Sequence, residues 1–192
     1  MLKTINRQLL ALELLKRHAR ISIVHRETGV PKPLLRKTYR ELHGRSPRPG
    51  ALKYSTQGLT RNIKKYKEVT LFAVCFEKVA SKSRENDIRK IIGTFDIYKK
   101  SYPASQLDFS AAWVVARDLQ RGITDIIKCH HCRVPVLLNA REDDTERCCV
   151  CKTKITGTSR DFQLINNHGV LKWLAKHLMY VAMPIRLDCA ID

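Results

Sequence analysis

The chain of 192 residues has 44% hydrophobic and 7% aromatic residues, ordinary values for a protein that buries a core, but its formal net charge is +18. It contains no run of about eighteen apolar residues, and its start lacks a signal-peptide pattern. We therefore expect a cytoplasmic protein with no membrane-spanning segment and no membrane partner, built as one substantial domain or as a main domain with a small appendage.

The positive charge is concentrated in the first third of the chain. Residues 1–68 contain 17 basic and 4 acidic side chains, a net charge of +13, and the other 124 residues contribute only +5. A field concentrated in this way attracts polyanions, because each phosphate that a cation neutralises releases condensed counterions. The pattern favours a nucleic-acid partner. A solvated basic face and a patch for anionic lipid are the alternatives.

Residues 19–43 have the pattern of a helix-turn-helix. Ile21 and Val24 are expected to face the core from the first helix, and Gly29 stands where the turn requires a backbone angle that is costly for other residues. Val30 can fill the angle between the helices. The two prolines that follow suit a first helical turn, because their missing N–H groups are not needed there. Any two helices joined by a glycine turn share this pattern, so the charge of the segment is what favours DNA.

The second helix of this pair is the predicted DNA-binding helix. We expect Leu34 or Leu35, together with Thr38 and Leu42, to face the core. A helix fits the major groove of duplex DNA, where its first residues reach base edges and flanking cations hold phosphates. The candidate DNA-contacting residues are Lys32, Arg36, Lys37, Arg40, Arg45 and Arg48.

Residues 44–50, with two glycines and two prolines, interrupt the helical pattern. Beyond them, apolar residues recur at three- and four-residue spacing, which predicts three further helices over 69–80, 88–98 and 110–123. Asp108 or Ser110 is placed to cap the last helix. The expected fold class is therefore mainly α.

The cysteines predict a metal site. Seven cysteines are an odd number, and five fall within 23 residues, which favours metal ligation in a reducing compartment over a disulfide framework. Two C-x2-C pairs, separated by fifteen residues, can each aim two thiolates at one point. The predicted ligands of one structural zinc ion per chain are Cys129, Cys132, Cys148 and Cys151.

Other interpretations of the cluster stay open from the sequence. A redox dithiol, a group of buried free thiols and an iron–sulfur cluster all use cysteines at short spacing. His130, His131 and Cys149 are possible competing ligands, although Cys149 lacks the two-residue knuckle spacing from Cys151. Four thiolates close the coordination sphere, so the spacing argues against a zinc enzyme.

These elements divide the chain into three expected parts. A helical domain that binds DNA and a partner covers residues 1–128, with the helix-turn-helix-like segment inside it. A small four-cysteine zinc ribbon or knuckle covers residues 129–155. A C-terminal segment, expected to be helical, covers residues 156–192, and its stretch 171–184 is amphipathic.

The assembled features resemble the FlhC family of bacterial flagellar transcriptional regulators. The residues that carry the resemblance are the stretches 10–15, 19–44 and 46–56, together with the two C-x2-C knuckles. The apolar stretch 171–184 departs from the family, whose tail beyond the zinc site is usually basic.

The resemblance implies a transcriptional activator that is not an enzyme. It implies a hetero-oligomer with a second small helical protein, FlhD. This hetero-oligomer is expected to bind double-stranded promoter DNA and to recruit RNA polymerase to flagellar and other genes. It also implies that the four cysteines bind zinc. The alternative function is an interaction subunit, in which the helix-turn-helix-like segment docks protein and the partner makes the main DNA contacts.

Overall fold

The computed structural model describes residues 2–52, 55–80, 87–139 and 147–155. These residues form seven helices and two strands. In chain order they are α1 Leu2–Lys16, α2 Ile21–Thr28, α3 Lys32–His43, α4 Gln57–Thr60, α5 Ile63–Ala80, α6 Asp87–Ser101, α7 Phe109–Gln120, β1 Thr124–Lys128 and β2 Pro135–Asn139. The expected mainly α fold class is confirmed. The predicted C-terminal helical segment, 156–192, lies outside the described residues.

The first three helices pack against one another. Gly29 ends α2 in the left-handed conformation, with φ at 70°, and its N–H donates to the His25 carbonyl at 2.8 Å. Val30 is partly buried against the core, as expected from the sequence. Ile21 and Val24 are buried on α2, which is also as predicted. Gly44, with φ at 62°, ends α3 in the same way.

The predicted inward face of α3 was partly wrong. Leu35 is buried at 1% exposure and Tyr39 at 3%, but Leu42 is 39% exposed and Thr38 is only half-buried. Tyr39 takes the inward position because its ring packs beside His43 and its hydroxyl lies 3.1 Å from Nδ1 of His18. Burying each large side chain of this kind contributes on the order of 2 kcal/mol.

The longest helix, α5, packs against the other elements of the second half of the fold, namely α4, α6, α7 and both strands. Val69 and Phe72 on α5 are fully buried, and α7 is buried along nearly its whole length. The three helices predicted between residues 69 and 123 are confirmed, but α5 begins earlier than predicted, at Ile63, and α7 ends earlier, at Gln120. The Asp108 cap is confirmed as well, because its carboxylate accepts from the Ala111 N–H at 2.7 Å.

Two antiparallel strands follow α7, and the first cysteine pair lies in the loop between them. Thr124 of β1 pairs with Asn139 of β2 at one end, and Lys128 pairs with Pro135 at the other. The Tyr66 hydroxyl on α5 donates to the Leu137 carbonyl at 2.7 Å, which ties the hairpin to the helices. Buried residues of the hairpin and the helices form one continuous hydrophobic core. Among the described helices, none is long and apolar enough to cross a membrane.

Candidate metal centre and basic surface

The two C-x2-C pairs form equivalent turns. In the first, the Cys129 N–H donates to the Val134 carbonyl at 2.8 Å, and the Arg133 N–H donates back to the Cys129 carbonyl at 2.9 Å. The second turn repeats both bonds with the same residue offsets, from Cys148 to Thr153 at 2.9 Å and from Lys152 to Cys148 at 3.0 Å. Two turns of one geometry therefore present two pairs of thiols.

The second turn is closed by a β-bridge between Arg147 and Lys154, and the first by the ends of β1 and β2. Each turn also contains one non-glycine residue with positive φ, at 59° for Arg133 and 62° for Lys152. Left-handed backbone is costly for such residues. The hydrogen bonds of each turn therefore hold the sulfur positions against a small local backbone cost.

The four predicted sulfurs lie together, all within 4.8 Å of one another. Cys129 Sγ is 3.6 Å from Cys151 Sγ, and Cys132 Sγ is 3.5 Å from Cys148 Sγ. A disulfide requires about 2.05 Å, whereas four sulfurs around one zinc ion at about 2.3 Å lie about 3.8 Å apart. The arrangement can hold one metal ion, and its all-sulfur donor set fits zinc.

The thiols differ in their environment. Burial raises the pKa of Cys132 to about 12 and also raises the pKa of Cys148. Hydrogen bonding with the side chain and backbone of Thr153 lowers the pKa of Cys151 to about 5, and Thr153 Oγ1 lies 3.4 Å from that sulfur. A divalent cation between the four sulfurs would favour the thiolate form of all of them.

The competing ligands are placed outside the cluster. His130 and His131 are exposed at the turn between the first two cysteines. Cys149 is buried against the core at 4% exposure, and its sulfur does not belong to the group of four. Burial raises the pKa of Cys149 to about 12, which suits an inert buried thiol.

The basic residues around the cysteines are mostly exposed: Arg133, Arg147, Lys152 and Lys154, with Lys128 half-buried. Arg147 and Lys154 face each other across the bridge. Like charges in directly opposite positions repel. A divalent metal ion bound by four thiolates carries a net negative charge, which would relieve this repulsion.

All six predicted DNA-contacting side chains are exposed. Lys32, Arg36 and Arg40 follow one another at four-residue spacing, so they form a row along one flank of α3. Arg45 and Arg48 lie in the segment after α3, which we call the arm (residues 44–52). The Arg20 side chain fixes the arm, because its guanidinium donates to the Gly50 carbonyl at 2.7 Å and to the Pro49 carbonyl at 3.3 Å.

Two features of this surface were not predicted. Arg20 shows no sign of its role in the sequence, because its partners lie about thirty residues away and bond through backbone oxygens. A second cluster of cations near the start of α5 is visible in the sequence as four basic residues within seven. Its members are Arg61, Lys64, Lys65 and Lys67, and all are exposed.

Comparison with known proteins agrees with the site. A family model described as "Flagellar transcriptional activator (FlhC)" matches residues 1–161. A flagellar transcriptional regulator FlhC of Cupriavidus necator is 27% identical over 155 residues, covering 79% of this chain and 75% of the relative. One from Nitrosomonas eutropha is 24% identical, covering 73% and 75%, and one from Gallionella capsiferriformans is 24% identical, covering 64% and 70%. Because the family model spans well over half of the chain, the chain belongs to the FlhC family of flagellar transcriptional regulators.

Proposed function

We propose that this protein is a zinc-containing, DNA-binding transcriptional activator. It acts at double-stranded promoter DNA of flagellar genes, in a hetero-oligomer with an FlhD-like partner, and recruits RNA polymerase. One zinc ion per chain holds the two cysteine turns together. Family membership supports the regulatory role, and the following observations support the finer assignments.

The observation that carries DNA binding is the construction of α3. Leu35 and Tyr39 fix the helix to the core, which leaves the row formed by Lys32, Arg36 and Arg40 in solvent. Cations on one flank of a helix can hold phosphates on either side of a major groove. Arg45 and Arg48 extend the same charge into the arm, which Arg20 holds in place.

The cysteine geometry supports structural zinc. Four sulfurs leave no open position for water, so the metal would act by linking the hairpin to the second turn. Without a metal, four thiols would face one another in a partly buried site. Binding free energy would then contribute directly to folding of this region.

An exposed apolar stripe on α1 supports a protein partner. Leu2, Ile5 and Leu9 lie at three- and four-residue spacing and are exposed, whereas Leu14 and Leu15 at the other end of the helix are buried in the core. An apolar stripe of this kind on a helix surface suits contact with an amphipathic partner.

Charge reversal on α3 tests the DNA-binding role. The triple variant Arg36→Glu, Lys37→Glu and Arg40→Glu should lose affinity for promoter DNA while the complex with the FlhD-like partner still assembles. The matched control is Arg89→Glu, Lys90→Glu and Lys100→Glu on α6, which changes the net charge equally. Equal loss in both variants would show that only net charge matters and would contradict a specific role of α3.

The interaction-subunit alternative also has an observation in its favour. Leu34 and Leu42 on α3 are 46% and 39% exposed, so this helix carries apolar surface beside its cations. If α3 docks the partner, the charge-reversal variant fails to assemble, as judged by the mass of the co-purified complex. Retained assembly with reduced DNA affinity favours the activator that contacts DNA itself.

A further inference from the structure

The cations at the start of α5 form a surface of their own. Arg61, Lys64, Lys65 and Lys67 are exposed, whereas Tyr66 between them is buried and anchors the helix to the Leu137 carbonyl. Successive helical residues are about 100° apart, so the side opposite Tyr66 is the side on which Lys64, Lys65 and Lys67 spread. The anchor therefore fixes which way these three lysines point.

These cations lack internal compensation. Among the described residues, none of the four has a carboxylate within ion-pair distance. The neighbouring carboxylate of Glu68 instead accepts from the Gln106 N–H at 3.0 Å. Three of the cations lie in the first turns of an eighteen-residue helix, where the helix dipole opposes positive charge. An external anion would supply the missing negative charge and would offset the unfavourable interaction of the cations with the helix dipole.

The cluster adjoins the predicted DNA-binding surface. Lys65 lines a cleft together with Arg20 and Leu52. Arg20 also holds the arm through the Pro49 and Gly50 carbonyls, and the arm leads back to α3. Arg20 also lines a second cleft, together with Arg48 and Tyr39. Arg48 of the arm and Lys65 of α5 therefore line clefts that share Arg20, and the arm follows α3 in the chain.

We infer that Arg61, Lys64, Lys65 and Lys67 bind backbone phosphates of duplex DNA beyond the groove that α3 occupies. This inference rests on the proposed DNA-binding function and extends it from one helix to a track that ends at α5. The contact is independent of base sequence, because point charges on flexible lysine side chains recognise phosphate and not base edges. Its contribution is therefore an electrostatic one that weakens with salt.

The test compares two double glutamine variants and one double arginine variant in binding to random-sequence duplex DNA, with the zinc-loaded full chain in complex with its FlhD-like partner and from about 50 to about 200 mM salt. Lys64→Gln with Lys65→Gln removes two charges from the track. Lys90→Gln with Lys100→Gln removes two from α6. Glutamine keeps helix propensity, so neither variant should unfold below the wild-type temperature. A third variant, Lys64→Arg with Lys65→Arg, keeps the charge at the track.

The α5 variant should bind more weakly, and its plot of log affinity against log salt should be shallower by about 1 for each phosphate that it no longer neutralises. The α6 and arginine variants should keep the wild-type slope. If wild type binds and the α5 variant keeps the same slope and affinity, the track is refuted while the proposed function stands. If wild type shows no salt-dependent binding at all, the proposed function fails first.

Discussion

The buried carboxylate of Asp118 on α7 accepts two hydrogen bonds from Thr56, from its N–H at 2.9 Å and from its hydroxyl at 2.8 Å. The other carboxylate oxygen accepts from the Arg117 guanidinium at 2.6 and 2.9 Å. That guanidinium also lies over the ring of Trp113, whose indole N–H donates to Glu27 on α2 at 3.1 Å. Asp118 thus connects the segment after the arm to α2, the first helix of the predicted helix-turn-helix pair.

Asp118→Asn should destabilise the protein by about 3 kcal/mol, because it leaves a largely buried guanidinium and two Thr56 donors without their charged acceptor. The matched control is Asp96→Asn, which breaks an exposed ion pair with Arg17 and should cost less than about 1 kcal/mol. Urea unfolding measures both. Equal effects of the two substitutions would show that the Asp118 network contributes no more than a surface pair.

Protonation of His18 should weaken the fold. The pKa of His18 is lowered from its ordinary value of 6.5, first by burial and then by the charges of His43, Arg45 and Arg48. The unfolded chain therefore takes up a proton at His18 before the folded chain does. The resulting stability is fully present above about pH 6.5 and is lost as the pH falls through the lowered pKa of the folded state.

Replacement of His18 by asparagine separates this effect from other titrations. Asparagine tolerates the positive φ of 57° at this position and does not titrate. Urea midpoints between about pH 8 and about pH 5.5 should fall less steeply for His18→Asn than for wild type. Parallel curves would rule out His18 as a source of the pH dependence.

The sequence predicted those features that depend on local pattern. Apolar spacing located α5, α6 and α7, and the C-x2-C spacing identified the four sulfurs that meet. The equivalence of the two cysteine turns follows from that spacing, because each turn closes on hydrogen bonds within six residues. Gly29 and Gly44 likewise mark helix ends through their own backbone conformation.

Features that depend on distant partners could not be predicted in this way. Which side of α3 faces the core depends on the contact between Tyr39 and His18, which are 21 residues apart, and not on the leucines of α3 alone. Strand β1 was missed because its five residues have no clear alternation, and they become a strand by pairing with β2. Asp118 and Thr56 are 62 residues apart, so nothing near either residue indicates their contact.

Lys152→Gly should strengthen the second cysteine turn. Lys152 has φ at 62°, a backbone conformation that costs a non-glycine residue about 1 kcal/mol or more. Glycine removes this cost, but the greater conformational entropy of glycine in the unfolded chain offsets about half of the gain in stability. Metal affinity in a chelator competition should therefore rise about twofold. The control Lys154→Gly removes the same charge from a bridge residue and should lower the affinity. A loss with Lys152→Gly would mean that its side chain, and not its backbone, supports the turn.

Substitution of cysteines tests which thiols hold the metal. Cys129→Ala should release the zinc, because the remaining three sulfurs leave the site open, and the hairpin whose loop contains Cys129 should lose protection in hydrogen exchange. Cys149→Ala removes an equally buried thiol that lies outside the group of four, so one zinc per chain should remain. Elemental analysis of the purified protein measures the number of zinc atoms and the number of iron atoms per chain.

Three results would contradict the assignment. Zinc retained by Cys129→Ala would remove Cys129 from the set of ligands, and zinc lost from Cys149→Ala would add Cys149 to it. Iron in place of zinc, with the visible absorption of a cluster, would replace the structural zinc ion by an iron–sulfur centre at the same four cysteines. Because Cys129 and Cys149 are both buried at 4% exposure or less, a difference between the two variants reports ligation and not the general cost of truncating a buried side chain.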